Sequence, residues 1–147
     1  MNNLINISID DCSPHPQSST VVLRQCFRIL DQFPSAKFTL FIPLAYWRTI
    51  GPTATEQPLR VDAAQVFCDE LRALSRENFE LGYHGLFHGI PGVSNNDELW
   101  IDSTRMPLGY EAVLGIIDSM LKMASYAGLK GLFKDILRPP AWRMCPA

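Results

Sequence analysis

Apolar residues fall along this chain in two alternating patterns. Short runs rich in branched and aromatic residues are followed by longer stretches in which apolar positions recur every three or four residues. The short runs read as strands and the long ones as helices. Residues 4–9 (LINISI), 37–42 (KFTLFI), 79–84 (FELGYH) and 133–137 (FKDIL) are the predicted strands. Ser18 and Ser19 are placed to cap a helix over 20–31, with Val22, Cys26, Ile29 and Leu30 on one face. Asp62 is placed to cap a second over 63–76, with Val66, Phe67, Leu71 and Leu74 as its buried stripe. The third covers 110–126, with Val113, Ile116, Ile117, Met120, Leu121 and Ala124 in register and Gly128 as C-cap. Ser13-Pro14-His15-Pro16, residues 46–58 and residues 89–96 read as loops. Strands that alternate with helices predict an α/β domain with a parallel sheet and right-handed crossovers.

Ligands of such folds bind at the carboxyl ends of the strands. Three of the predicted strands end in polar residues there: Asp10-Asp11 after the first, His84 at the end of the third and Arg138 after the fourth. Packing alone does not require that coincidence. His84 and His88 are four residues apart, so a helical turn after the strand would point both rings the same way. Two imidazoles and one carboxylate are a ligand set for a divalent, zinc-like ion, which cobalt and nickel also suit. The other carboxylate of the Asp10-Asp11 pair then stays free as a base, with Arg138 to pair with it and orient it. Gly82, Gly85 and Gly89 permit tight backbone near a ligand. Trp142 is placed to wall a pocket, although a tryptophan more often belongs to the core. His15 reads as a surface loop residue and Cys12 as a packing residue.

Length and composition fit one domain. The chain has 147 residues, 47% of them hydrophobic and 19% charged, with a net charge of -2. Lys and Arg are scattered, which argues against nucleic acid as the partner. No apolar run is long enough for a membrane span, and residues 1–3 (MNN) form no basic leader. The four cysteines, Cys12, Cys26, Cys68 and Cys145, form no CxxC pair, which predicts a reduced, cytoplasmic protein.

Ser8-Ile9-Asp10-Asp11, His84-Gly85-Leu86-Phe87-His88 and Arg138-Pro139-Pro140-Ala141-Trp142 resemble, in order and in strand context, the first three motifs of the polysaccharide deacetylase family, the NodB-homology domain. The resemblance spans nearly the whole chain. It implies a distorted (β/α) barrel and metal-dependent removal of N- or O-acetyl groups from sugars. It implies Asp10 as general base, Asp11, His84 and His88 as ligands of a divalent metal, and Arg138 as the partner of the base. Two positions depart from the family pattern: Cys12 stands where Gly is usual, and Gly85 where Ser or Thr is usual. The family continues past its third motif to a late histidine that acts as general acid, whereas no histidine follows Trp142 here. The expectation is therefore the front part of such a domain, a partial barrel whose uncovered apolar surface drives self-association. Two other readings stay open: a metal- or sugar-binding module without turnover, and another metal-dependent hydrolase such as a phosphoesterase.

Overall fold

The computed structural model describes residues 6–101, 104 and 106–144. The predicted strand residues 4 and 5, the N-terminal residues 1–3 and Cys145 lie outside the described residues. The rest of the first strand, β1, is Asn6–Ile9. A 3-10 turn at Thr20–Val22 leads into α1 (Leu23–Gln32), and β2 is Lys37–Ile42. The two-residue strands β3 (Ala45–Tyr46) and β4 (Leu59–Arg60) precede a second 3-10 turn and α2 (Gln65–Arg72). After β5 (Phe79–Tyr83) come the short β6 (Trp100–Ile101) and β7 (Met106–Pro107), then α3 (Tyr110–Tyr126) and β8 (Phe133–Leu137).

The four predicted strands form one parallel sheet in the order β1-β2-β5-β8. The two central strands carry the core: Phe38, Leu40 and Ile42 of β2 and Phe79 and Leu81 of β5 are buried. β1 is half-buried on one face, through Ile7 and Ile9. β5 and β8 pair at Leu81↔Phe133 and Tyr83↔Leu137, so β8 spends extra residues between these points. Such an irregularity re-aims the strand end. Here pairing resumes through Arg138 N–H to Tyr83 O (2.9 Å), just where the arginine must be placed.

The helices differ from expectation in their starts and edges. α1 begins three residues late, behind the 3-10 turn, and neither Ser18 nor Ser19 caps it: Ser18 Oγ instead meets Ser13 Oγ at 2.9 Å. Asp62 does not cap α2 either, because both its oxygens accept from Arg60 (2.9 and 2.5 Å). Phe67, Leu71 and Leu74 are buried as predicted, but Val66 is 73% exposed. It lies about 100° round the helix from Phe67, and Cys68 takes the inward place instead. On α3 the buried side runs through Met120, Met123 and Ala124, leaving Leu121 at the exposed edge. Its end is a Schellman motif: Gly128, at φ +65°, donates to Ser125 O, and Leu129 donates to Ala124 O.

The region 46–58 is irregular as expected, but its flanks pair as the antiparallel β3 and β4. A second antiparallel pair, β6 and β7, likewise has no counterpart in the apolar pattern of the sequence. Strands of two residues are too short to show a period. Among the described residues no helix is long and apolar enough to cross a membrane.

Candidate metal centre

The carboxyl ends of β1, β5 and β8 converge. β1 stops at Ile9, and Asp11 then takes a left-handed conformation (φ 61°), which Asp tolerates better than most residues. That turn breaks the alternation of a strand and lets two adjacent aspartates serve one site. Asp11 Oδ1 lies 3.0 Å from His88 Nε2 and 3.4 Å from His84 Nε2. One donor atom from each of Asp11, His84 and His88 fits within 4.8 Å of the others.

The two imidazoles are fixed from behind. His84 Nδ1 is 2.8 Å from Arg138 O, and His88 Nδ1 is 2.8 Å from Asn95 O. A carbonyl only accepts, so each Nδ1 carries the hydrogen, and in the neutral ring each Nε2 is a bare lone pair. Both Nε2 atoms lie close to Asp11 Oδ1, which is buried and has no well-directed hydrogen-bond partner. Three acceptors this close together repel unless a proton or a cation sits between them. The donor set and its second shell of carbonyls therefore fit a divalent ion.

Titration follows the same geometry. Burial opposes ionisation of Asp11, but His84, His88 and Arg48 outweigh it and hold the carboxyl below its usual range. Burial also disfavours imidazolium at His84; Asp11, the Arg138 carbonyl and Asp10 reverse that and raise it. At His88 burial prevails over Asp11 and the ring is lowered.

Asp10 points elsewhere. Its Oδ1 accepts from Arg138 Nη1 at 2.5 Å. The guanidinium is clamped between two rings, 3.9 Å from the Phe41 centroid and 4.3 Å from that of Trp142. Trp142 is thus no core residue: it is 70% exposed and covers Arg138 at the rim. The structure brings Asp10, Asp11, His84, His88, Arg138 and Trp142 to one place.

Two expectations are corrected. The segment from His84 to His88 is not a helical turn. Its carbonyls at 85, 86 and 87 accept from Leu44, Ala45 and Trp47, and its N–H groups at 86, 87 and 88 donate to the Glu98 carboxylate. The rings still converge, with centroids 4.8 Å apart. His15, expected on the surface, is buried. Its Nδ1 accepts from Gln17 N–H and its Nε2 donates to Thr53 O, each at 3.2 Å, so both nitrogens have structural partners. Cys12 is the packing residue expected: burial pushes its thiol up to about 12.

Sequence reading missed four contributors. Tyr46 packs edge-on against His88 at 5.7 Å, and Arg48 reaches its hydroxyl at 3.3 Å. Asn95 acts through its main-chain carbonyl, which no side-chain pattern reveals. Glu98 is 5% exposed, and burial pushes its carboxyl up to about 7 against the N–H groups of Phe87, Leu86 and His88.

Backbone strain marks the same residues. Among the described residues the non-glycines with positive φ are Asp11, His88, Ala141 and Trp142, all within the three motifs. Such conformations cost about 1–3 kcal/mol each and persist where the surroundings over-determine them, often at functional sites. Gly85, at φ +84°, is constrained differently: a Cβ there would overlap Glu98 Oε2 and come within 2.8 Å of Pro140 Cγ. Gly85→Ala is expected to cost about 2–4 kcal/mol, strain and overlap together. Urea denaturation checks it, and a loss under about 0.5 kcal/mol would contradict the packing described.

The chain matches no family model, no curated protein and no solved structure.

Proposed function

We propose that this protein is a metal-dependent hydrolase of the polysaccharide deacetylase type, on a distorted (β/α) barrel, that removes acetyl groups from an N- or O-acetylated sugar. One observation carries the reading: a buried Asp11 oxygen lies 3.4 and 3.0 Å from the Nε2 atoms of His84 and His88, next to a second carboxylate locked to an arginine. The first three groups suit a zinc-like ion, with cobalt or nickel as substitutes. Such an ion would polarise an acetyl carbonyl and make water more acidic.

The remaining roles belong to the chain. Asp10 is the general base that takes a proton from the attacking water. Arg138 holds its carboxylate in place, and the Phe41–Trp142 clamp holds Arg138. Trp142, exposed at the rim, offers an apolar wall to a sugar ring. Water and the acetylated substrate yield acetate and a free amine or hydroxyl. Cys12, Cys26 and Cys68 are free thiols, which suits a cytoplasmic setting.

An assay of acetyl-amide and acetyl-ester sugars with added zinc, cobalt or nickel tests the activity. Release of acetate that depends on metal and on Asp10 is the expected result, and no release under any metal would refute it. The second reading, a binding module with little turnover, draws on His15. The chain has three histidines, two in the triad and the third with both nitrogens engaged, so within these residues no imidazole remains to protonate the leaving group.

Binding should also release protons. His84 is raised above 6.5, so in the metal-free site its Nε2 keeps a proton to higher pH than a free imidazole does. A metal must displace that proton, and affinity falls as pH drops through this range. Calorimetry near neutral pH in two buffers of different ionisation enthalpy should give different heats; equal heats would contradict it.

A further inference from the structure

The turn that bears both imidazoles is built around a group the three motifs do not contain. The N–H groups of Leu86, Phe87 and His88 converge on one point, and the Glu98 carboxylate fills it. Oε1 accepts from Leu86 (3.0 Å) and Phe87 (2.7 Å); Oε2 accepts from Leu86 (3.0 Å) and His88 (3.3 Å). Successive N–H groups in such a concavity form an anion-binding nest. No lysine or arginine lies within 4.0 Å of Glu98 among the described residues, so backbone N–H groups are its main compensation.

Everything around Glu98 serves its placement. The next residue, Leu99, is 1% exposed and anchors the segment in the interior. β6 and β7 follow at once, and Leu108 N–H closes onto Leu99 O at 3.1 Å. On the opposite side Gly85 leaves out the side chain whose Cβ would occupy the space of Glu98 Oε2. His88, whose N–H is one of the three, holds the left-handed φ of 64° that its ring needs to meet Asp11. Asn95, three residues before Glu98 in the same returning segment, supplies the carbonyl behind the His88 ring.

We propose that Glu98 is the positioning residue of the metal centre: its carboxylate, filling the nest of Leu86, Phe87 and His88, sets the geometry of His84 and His88 and thereby the affinity for the ion. This rests on the metal reading above. It also accounts for Gly85, since the nest is filled from outside the motif and a Cβ there would occupy the space of Glu98 Oε2.

Two measurements test it, on wild type and on Glu98→Gln, which keeps the shape but turns an amide NH2 toward the N–H groups. The first is amide hydrogen exchange of the metal-free proteins. Leu86, Phe87 and His88 should be protected in the wild type and lose protection together in Glu98→Gln. Unprotected amides in the wild type itself would overturn the proposal without recourse to any variant. The second is zinc affinity by chelator competition, where Glu98→Gln should bind about 10- to 100-fold more weakly, the usual effect of a lost group behind a ligand. Unchanged affinity despite lost protection would reduce Glu98 to a structural role and overturn the proposal. Should Glu98→Gln not fold, Glu98→Asp, one methylene too short to span the nest, takes its place with the same two outcomes. Wild type that binds no zinc would refute the metal reading, and affinity control by Glu98 with it. The exchange measurement would still report separately whether Glu98 holds the turn.

Discussion

Asp10→Asn is expected to remove nearly all turnover and to leave the metal content unchanged. Asparagine keeps the size of the side chain, and its oxygen can still accept from Arg138 Nη1, so the local structure should persist. What it cannot do is take a proton from water. Loss of a positioned general base costs about 100- to 10,000-fold in rate. Metal content should hold because the atoms that converge are those of Asp11, His84 and His88, not Asp10. Arg138→Lys should lower the rate less. A lysine keeps the charge but loses the planar group stacked between Phe41 and Trp142, so Asp10 loses its fixed orientation. Steady-state kinetics beside elemental analysis checks both. Wild-type turnover by Asp10→Asn would remove Asp10 from the role of base.

His84→Ala and His88→Ala should each lose the ion while keeping the fold. Either change deletes one of three converging donors, and affinity should fall by more than about 100-fold, beyond the usual effect of losing a group behind a ligand. His84 and His88 are both buried, so each truncation also opens a small cavity, with a stability cost to be read separately by denaturation. The effect should be paired: whatever the site loses without His84 it also loses without His88, because both Nε2 atoms address the same Asp11 oxygen. Metal content equal to wild type in both variants would end the assignment of these residues as ligands.

Much of this arrangement is legible along the chain, because it depends on patterns with a fixed period. The strands of the parallel sheet are short branched or aromatic runs, and their described residues pair as expected. The extent of α3 follows from its apolar repeat and from Gly128, which the left-handed cap requires. The polar residues at three strand ends converge because a parallel sheet delivers all its carboxyl ends to one edge. What escapes the sequence depends on tertiary satisfaction rather than periodicity. Ser19 and Asp62 look like caps, yet Asp62 has a nearer partner in Arg60 and Ser19 makes no cap bond. The His84–His88 spacing suggests a helical turn, yet the N–H groups go to Glu98, a residue in an aperiodic stretch with nothing local to mark it. His15 sits between prolines and looks exposed, yet the chain folds over it through Thr53.

The metal centre is tested most directly by titrating chelator-stripped wild-type protein with zinc in a calorimeter. A carboxylate and two imidazoles, each imidazole backed by a carbonyl, predict a single site with one ion per chain, bound at micromolar or lower concentration and with release of protons. No saturable heat up to millimolar zinc would contradict the assignment, and the deacetylase reading would fall with it.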